Sequence, residues 1–157
     1  MKLVHYSPCP LTLDMIKPRG QGGDTFRSDK PRGLWVSDND DDTSWPVWCH
    51  GAGFRLKNLR WAYRVTLKPD AKILHIDDAE GLRRFDQIFG FYPPNWPPGL
   101  HSHFHIDWVK IAEWYDGILI TPYLWSMRLD LMWYYSWDVA SGCIWNPEAI
   151  LSLDRIG

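Results

Sequence analysis

Apolar and polar positions alternate most cleanly over residues 61–68. Trp61, Tyr63, Val65 and Leu67 share one face, and Arg64, Thr66 and Lys68 the other. A period of two marks a half-buried strand, because successive side chains leave opposite faces. Residues 68–71 turn into a second strand, 72–76. Residues 3–6 form a short strand ended by Pro8 and Pro10, since proline donates no ladder bond. Further strands are expected at 33–37, at 117–121 as a buried run, and at 142–145. After a turn at 146–148, residues 149–156 read as a last strand or a helix–strand piece.

Helical spacing appears at Leu82, Phe85 and Phe89, predicting a helix over 78–89 capped by Asp77 or Asp78. Trp108, Ile111, Ala112 and Tyr115 make a second stripe over 107–115. A short helix is expected within 45–54, and one or two turns within 11–16. Residues 17–32 hold Pro18, Gly20, Gly22, Gly23 and Pro31. They form a loop longer than most connections in compact domains. Residues 90–100 are a second irregular loop, rich in proline. The aromatic segment 129–137 follows neither period. Strands and short helices do not alternate regularly, which disfavours a doubly wound parallel sheet. The expectation is one α+β domain over 1–157, with a split mixed β-sheet and short flanking helices.

Composition narrows the classes. The chain has 157 residues, a length typical of one domain. Nineteen acidic residues stand against 17 basic ones, a net charge of −2, so no overall basic excess drives binding to nucleic acid. Eleven tryptophans lift the aromatic share to 15%, which implies an aromatic core or an aromatic-lined pocket. Cys9, Cys49 and Cys143 lie far apart without a CxxC pair and read as reduced thiols. No signal peptide and no apolar run of membrane-spanning length is evident, so the reading is cytoplasmic, with no membrane partner.

Four constellations carry candidate chemistry. Asp38, Asp40 and Asp42 have calcium-loop spacing, but Thr43 and Cys49 occupy the positions where an EF-hand needs Gly and Glu. A solvated acidic loop is therefore expected. His101, His103 and His105 alternate, so on a strand they would share a face and could bind a transition metal. A metal hydrolase using them, with Asp107 nearby, is one reading. Asp116 precedes a buried strand as a turn residue would. Asp138 ends the aromatic run Trp133-Tyr134-Tyr135-Ser136-Trp137, where a carboxylate is costly unless bonded or used.

The fourth is His5 on the first strand with Gly33-Leu34-Trp35-Val36-Ser37 on the second, followed by Ser44, Trp45 and Trp48. This order resembles ADP-ribosyltransferases of the diphtheria-toxin/poly-ADP-ribose polymerase type. That family has a first-strand histidine, then a glycine–aliphatic–aromatic–aliphatic–small segment, a serine and a helix with a second aromatic. It ends with an acidic residue before one of the last strands, and Asp138 is the best match. Tyr6 stands where the family has glycine, Trp35 where it has tyrosine and Asp138 where it has glutamate.

The resemblance implies an ADP-ribosyltransferase-like fold with NAD as substrate and His5, Trp35 and Asp138 as catalytic residues. It implies that His5, Tyr6, Ser7, Gly33, Trp35, Ser44 and Trp48 bind NAD. Cleavage of the nicotinamide–ribose bond passes through an oxocarbenium-like state, which needs orientation and a nearby negative charge rather than a metal. The implied reaction is ADP-ribosyl transfer to a protein or nucleic-acid acceptor, or NAD hydrolysis. Glu113, Asp116 and Asp130 remain alternatives for the carboxylate. A non-catalytic module with an aromatic cleft for a nucleotide or partner protein is the rival. Lys17, Arg19, Arg27, Lys30 and Arg32 make the 17–32 loop a candidate lid over a pyrophosphate.

Overall fold

Strand β1, Leu3–Ser7, lies at the middle of the molecule rather than at its edge. A computed structural model describes residues 1–22, 29–92 and 102–157. In these, β2 is Leu34–Asp38, β3 Trp61–Leu67, β4 Ile73–Ile76, the short pair β5 and β6 Gly90–Phe91 and His105–Ile106, β7 Gly117–Ile120, β8 Ser141–Ile144 and β9 Ile150–Arg155. Seven of them form one mixed sheet in the order β4-β7-β8-β2-β1-β3-β9. Only β4 and β7 pair in parallel.

The sheet has a weak seam. β1 pairs with β3 at four positions, Val4↔Arg64 to Ser7↔Trp61, and β2 with β8 at four, Leu34↔Ile144 to Ser37↔Ser141. Between β1 and β2, however, only Leu3↔Asp38 and Val4↔Ser37 pair. The halves β4-β7-β8-β2 and β1-β3-β9 therefore part just beyond Val4 and Ser37.

Both faces of the sheet are covered. β7 is buried along its whole length, because Ile118 and Ile120 face one core and Leu119 the other. The larger core packs α2, Ala79–Phe89, and α3, Trp108–Ala112, with the aromatic segment against the sheet. Asp78 caps α2 by accepting from the Gly81 N–H at 2.6 Å. The segment that fits neither period makes a 3₁₀ turn at Tyr134–Ser136, preceded by another at Trp125–Met127, and it buries Trp133, Tyr134 and Trp137. On the opposite face, Leu11, Leu13 and Ile16 pack over Leu34, Val36 and Val65. The remaining helix, α1, is Trp45–Ala52.

Three expectations need correction. The 90–100 loop begins as strand, where Gly90–Phe91 pairs with His105–Ile106, and residues 93–100 lie outside the described residues. The helix at 107–115 stops at Ala112. The acidic run is not a solvated loop throughout, since Asp38 is only 6% exposed. Its carboxylate accepts from the Thr121 hydroxyl at 2.7 Å and from the Lys2 and Asp40 N–H groups at 3.0 and 3.1 Å. Burial opposes its ionisation, but these bonds outweigh burial and hold its pKa below the ordinary carboxylate value. Asp38 thus ties the end of β2 to the residue after β7. Asp41 accepts from the Thr43 N–H and hydroxyl and from the Tyr123 N–H. The carboxylates of Asp38 and Asp41 are committed to the chain's own donors. Among the described residues no helix is long and apolar enough to cross a membrane.

Candidate active site

Where β1 and β2 part, a side chain replaces the missing ladder bond. The His5 ring bonds the Trp35 carbonyl through Nδ1 at 2.7 Å. A carbonyl only accepts, so Nδ1 must carry the proton. In the neutral ring Nε2 is then the bare acceptor. Burial lowers the His5 pKa, and the bond to Trp35 opposes that shift only in part. The ring is therefore neutral at physiological pH, with one nitrogen committed to the seam and one lone pair to spare.

The opening holds a cavity of about 350 Å³, at the lower end of the range that takes small-molecule ligands. His5 and Tyr6 of β1 line it together with Trp35 and Ser37 of β2. Trp137 and Asp138, which precede β8, form another wall. Trp45 of α1 and the residues after that helix, Arg55 and Asn58, complete the rim, with Lys30. Trp35 and Trp137 meet edge to face with centroids 4.9 Å apart. Lys30 Nζ lies 5.5 Å from the centre of the Trp35 ring. Burial pulls the Lys30 pKa down, while the charge of Asp138 opposes that shift.

Trp137 is 1% exposed, and its Nε1 has no acceptor among the described residues. An indole nitrogen can only donate, and a buried donor without a partner is costly. The nitrogen is itself buried, so Trp137 offers the cavity its ring and not this N–H.

Asp138 is one-quarter exposed, and its Oδ1 lies 3.1 Å from Arg128 Nη2. Arg128 is itself fixed, since Nη1 donates to the Tyr123 hydroxyl at 3.0 Å and the guanidinium lies 4.9 Å from the Tyr135 ring centre. No described residue bonds Asp138 Oδ2. The carboxylate is thus held at one oxygen and open at the other. Two cations, Lys30 and Arg55, line the cavity against this one carboxylate, which Arg128 already pairs. The balance favours a ligand carrying negative charge.

The structure gathers His5, Tyr6, Trp35 and Asp138 around one cavity and leaves four expected residues outside its lining. Ser7 is buried and its hydroxyl accepts from the Cys9 N–H. Gly33 sits against β8, where a Cβ would stand 2.4 Å from the Ile144 carbonyl oxygen. Its role is close backbone approach. Ser44 is buried ahead of α1, and Ser37 Oγ instead accepts from the Trp45 N–H at 2.8 Å. Trp48 stacks on Trp45, 5.3 Å away, one layer out from the lining. Asp116 binds the Lys72 N–H and Asn146 and holds a turn. Asp130 pairs with Arg83.

His101 lies outside the described residues, as does the 23–28 portion of the expected lid. His103 Nδ1 lies 3.0 Å from the buried Asp86 carboxylate, which also accepts from Trp133 Nε1. His105 stacks on Phe91. No cluster of three metal-ligating side chains occurs among the described residues.

Trp137, Arg55 and Asn58 are cavity residues that sequence reasoning missed. Trp137 adjoins Asp138, so adjacency was its only signal. Arg55 and Asn58 follow a glycine-rich helix end and carry no motif. Comparison with protein-family models, with curated proteins and with solved structures gives no match for this chain.

Proposed function

We propose that the chain cleaves the nicotinamide–ribose bond of NAD and transfers ADP-ribose to an acceptor, on a fold of the ADP-ribosyltransferase type. The observation that carries this reading is the parted seam, with a neutral His5 acceptor, an indole pair and a half-free carboxylate around one cavity. The nicotinamide packs against Trp35 and Trp137. A ribose hydroxyl donates to His5 Nε2. Lys30 and Arg55 face the pyrophosphate. In the reaction the C1′–N bond breaks and its electron pair leaves with nicotinamide, which departs neutral. The acceptor's lone pair forms the new bond to C1′ and its proton passes to water. Asp138 Oδ2 stabilises the cationic sugar between those events. Such positioned charge acts mainly on the transition state.

Nicotinamide release from NAD, followed by chromatography with parent and Asp138→Asn proteins, tests the proposal. Release by the parent and its loss in the variant are expected. One observation favours a second reading: Arg128 already neutralises part of the Asp138 charge. A nucleotide-binding module without turnover would saturate with NAD and release no nicotinamide, and that result would overturn the catalytic reading.

A further inference from the structure

From residue 43 to residue 69 the sequence has no carboxylate but five cations, Arg55, Lys57, Arg60, Arg64 and Lys68, in a chain whose net charge is −2. The first three follow α1, beside the cavity mouth. Arg55, Lys57 and Arg60 are exposed, and none takes part in an ion pair among the described residues. Three aromatic rings, Trp45, Trp48 and Phe54, precede them. Trp45 and Trp48 stack with an interplanar angle of 14°, and Phe54 meets both edge-on while remaining 42% exposed.

Arg55 links this surface to the cavity. Its guanidinium lies 5.2 Å from the Phe54 ring centre, and the residue lines the cavity as well. Its backbone is left-handed, with φ 48°, the one such non-glycine residue among those described. That conformation is unfavourable for any residue with a Cβ, and an observed outlier at a cavity mouth points to a functional demand on its side chain.

We infer that this face, from Phe54 to Arg60, binds single-stranded nucleic acid and delivers it to the cavity as the acceptor. The acceptor role rests on the transferase reading above, whereas the binding does not. The exposed Phe54 ring takes an unstacked base and the cations that follow it take phosphates, which is how sequence-tolerant single-strand surfaces work. An acidic peptide would use the cations but leave the ring idle. A duplex keeps its bases stacked and out of reach of the ring.

The test is fluorescence anisotropy of dye-labelled single-stranded DNA and RNA of roughly a dozen nucleotides, with duplex DNA and polyglutamate as comparators. Binding of a single strand in preference to both comparators is expected, falling as salt rises. The Lys57→Glu/Arg60→Glu double variant should flatten the log–log salt slope by about 1.4, at about 0.7 per lost phosphate contact. Phe54→Ala should weaken binding about tenfold. Nicotinamide release from NAD alone should stay unchanged in the Lys57→Glu/Arg60→Glu variant. Equal or tighter binding of polyglutamate or duplex, or an unchanged slope in the double variant, overturns the inference. If NAD is cleaved but no strand binds, the surface reading fails alone. If strands bind as expected but NAD is not cleaved, the transferase reading and the acceptor role fail, and the binding surface stands.

Discussion

Replacing His5 separates what the histidine does for the fold from what it does for chemistry. Its Nδ1–H satisfies the Trp35 carbonyl where β1 and β2 no longer pair. His5→Ala removes that donor and strands the carbonyl in a part-buried seam. An unsatisfied buried acceptor costs about 1–3 kcal/mol. For a domain of this size each kcal/mol lowers Tm by roughly 2–4 °C, so a loss near 2 kcal/mol gives about 4–8 °C. His5→Asn places an amide N–H close to the position of Nδ1 and restores the seam, but it has nothing where Nε2 stood. Thermal melts followed by tryptophan fluorescence, paired with nicotinamide release, read the two roles apart. The alanine variant should lose both stability and activity, and the asparagine variant activity alone. An alanine variant that melts with the parent refutes the seam argument. An asparagine variant that releases nicotinamide at the parental rate removes Nε2 from the reacting sugar.

Asp138→Asn should still bind NAD, read by calorimetry, while nicotinamide release falls about 100-fold or more, the scale for removing a positioned electrostatic contact to a transition state. The depressed His5 pKa means the unfolded chain binds a proton more readily, so its share of stability is complete above the unfolded pKa near 6.5 and is lost as pH falls below it. The parent should therefore melt lower around pH 5.5 than around pH 7.5, and His5→Asn should show less of that difference. Gly142→Ala would set a Cβ 2.2 Å from the Ile118 carbonyl oxygen in the paired middle of the sheet, so β7 and β8 must separate. A loss of about 1–3 kcal/mol by chemical denaturation is expected, and an unchanged midpoint would contradict that packing.

What sequence shows well is whatever one segment decides by itself. The period of β3, the cap and stripe of α2 and the buried run of β7 are local facts, and each is found where its pattern lies. The segment 129–137 was unreadable because tryptophan and tyrosine bury themselves from any backbone geometry, and here irregular turns do it. Strand order was unreadable for another reason. That β8 inserts between β7 and β2 depends on pairings across more than a hundred residues, such as Trp35↔Cys143. Asp38 shows the same limit, since its bond to Thr121 spans 83 positions and converts an apparently solvated charge into a buried clasp.

The seam also explains why some site residues were legible and others were not. A residue on β1 or β2 next to a parted pair must border the opening, so His5, Tyr6 and Trp35 follow from strand position once the parting is known. The far wall comes from segments that no period governs, Trp137–Asp138 and the turn after α1. Their placement depends on side-chain ties. Arg128 holds Asp138, and the Ser37 hydroxyl holds the start of α1 through the Trp45 N–H. The second tie anchors the approach to α1 to strand β2, which is what a preorganised site requires. The Arg128 tie also shapes the charge of the cavity. With His5 neutral and Asp138 shared with Arg128, Lys30 and Arg55 dominate the field inside. A dinucleotide offers that field a pyrophosphate and offers Trp35 a flat ring. A cationic or purely apolar ligand would satisfy one wall and oppose another.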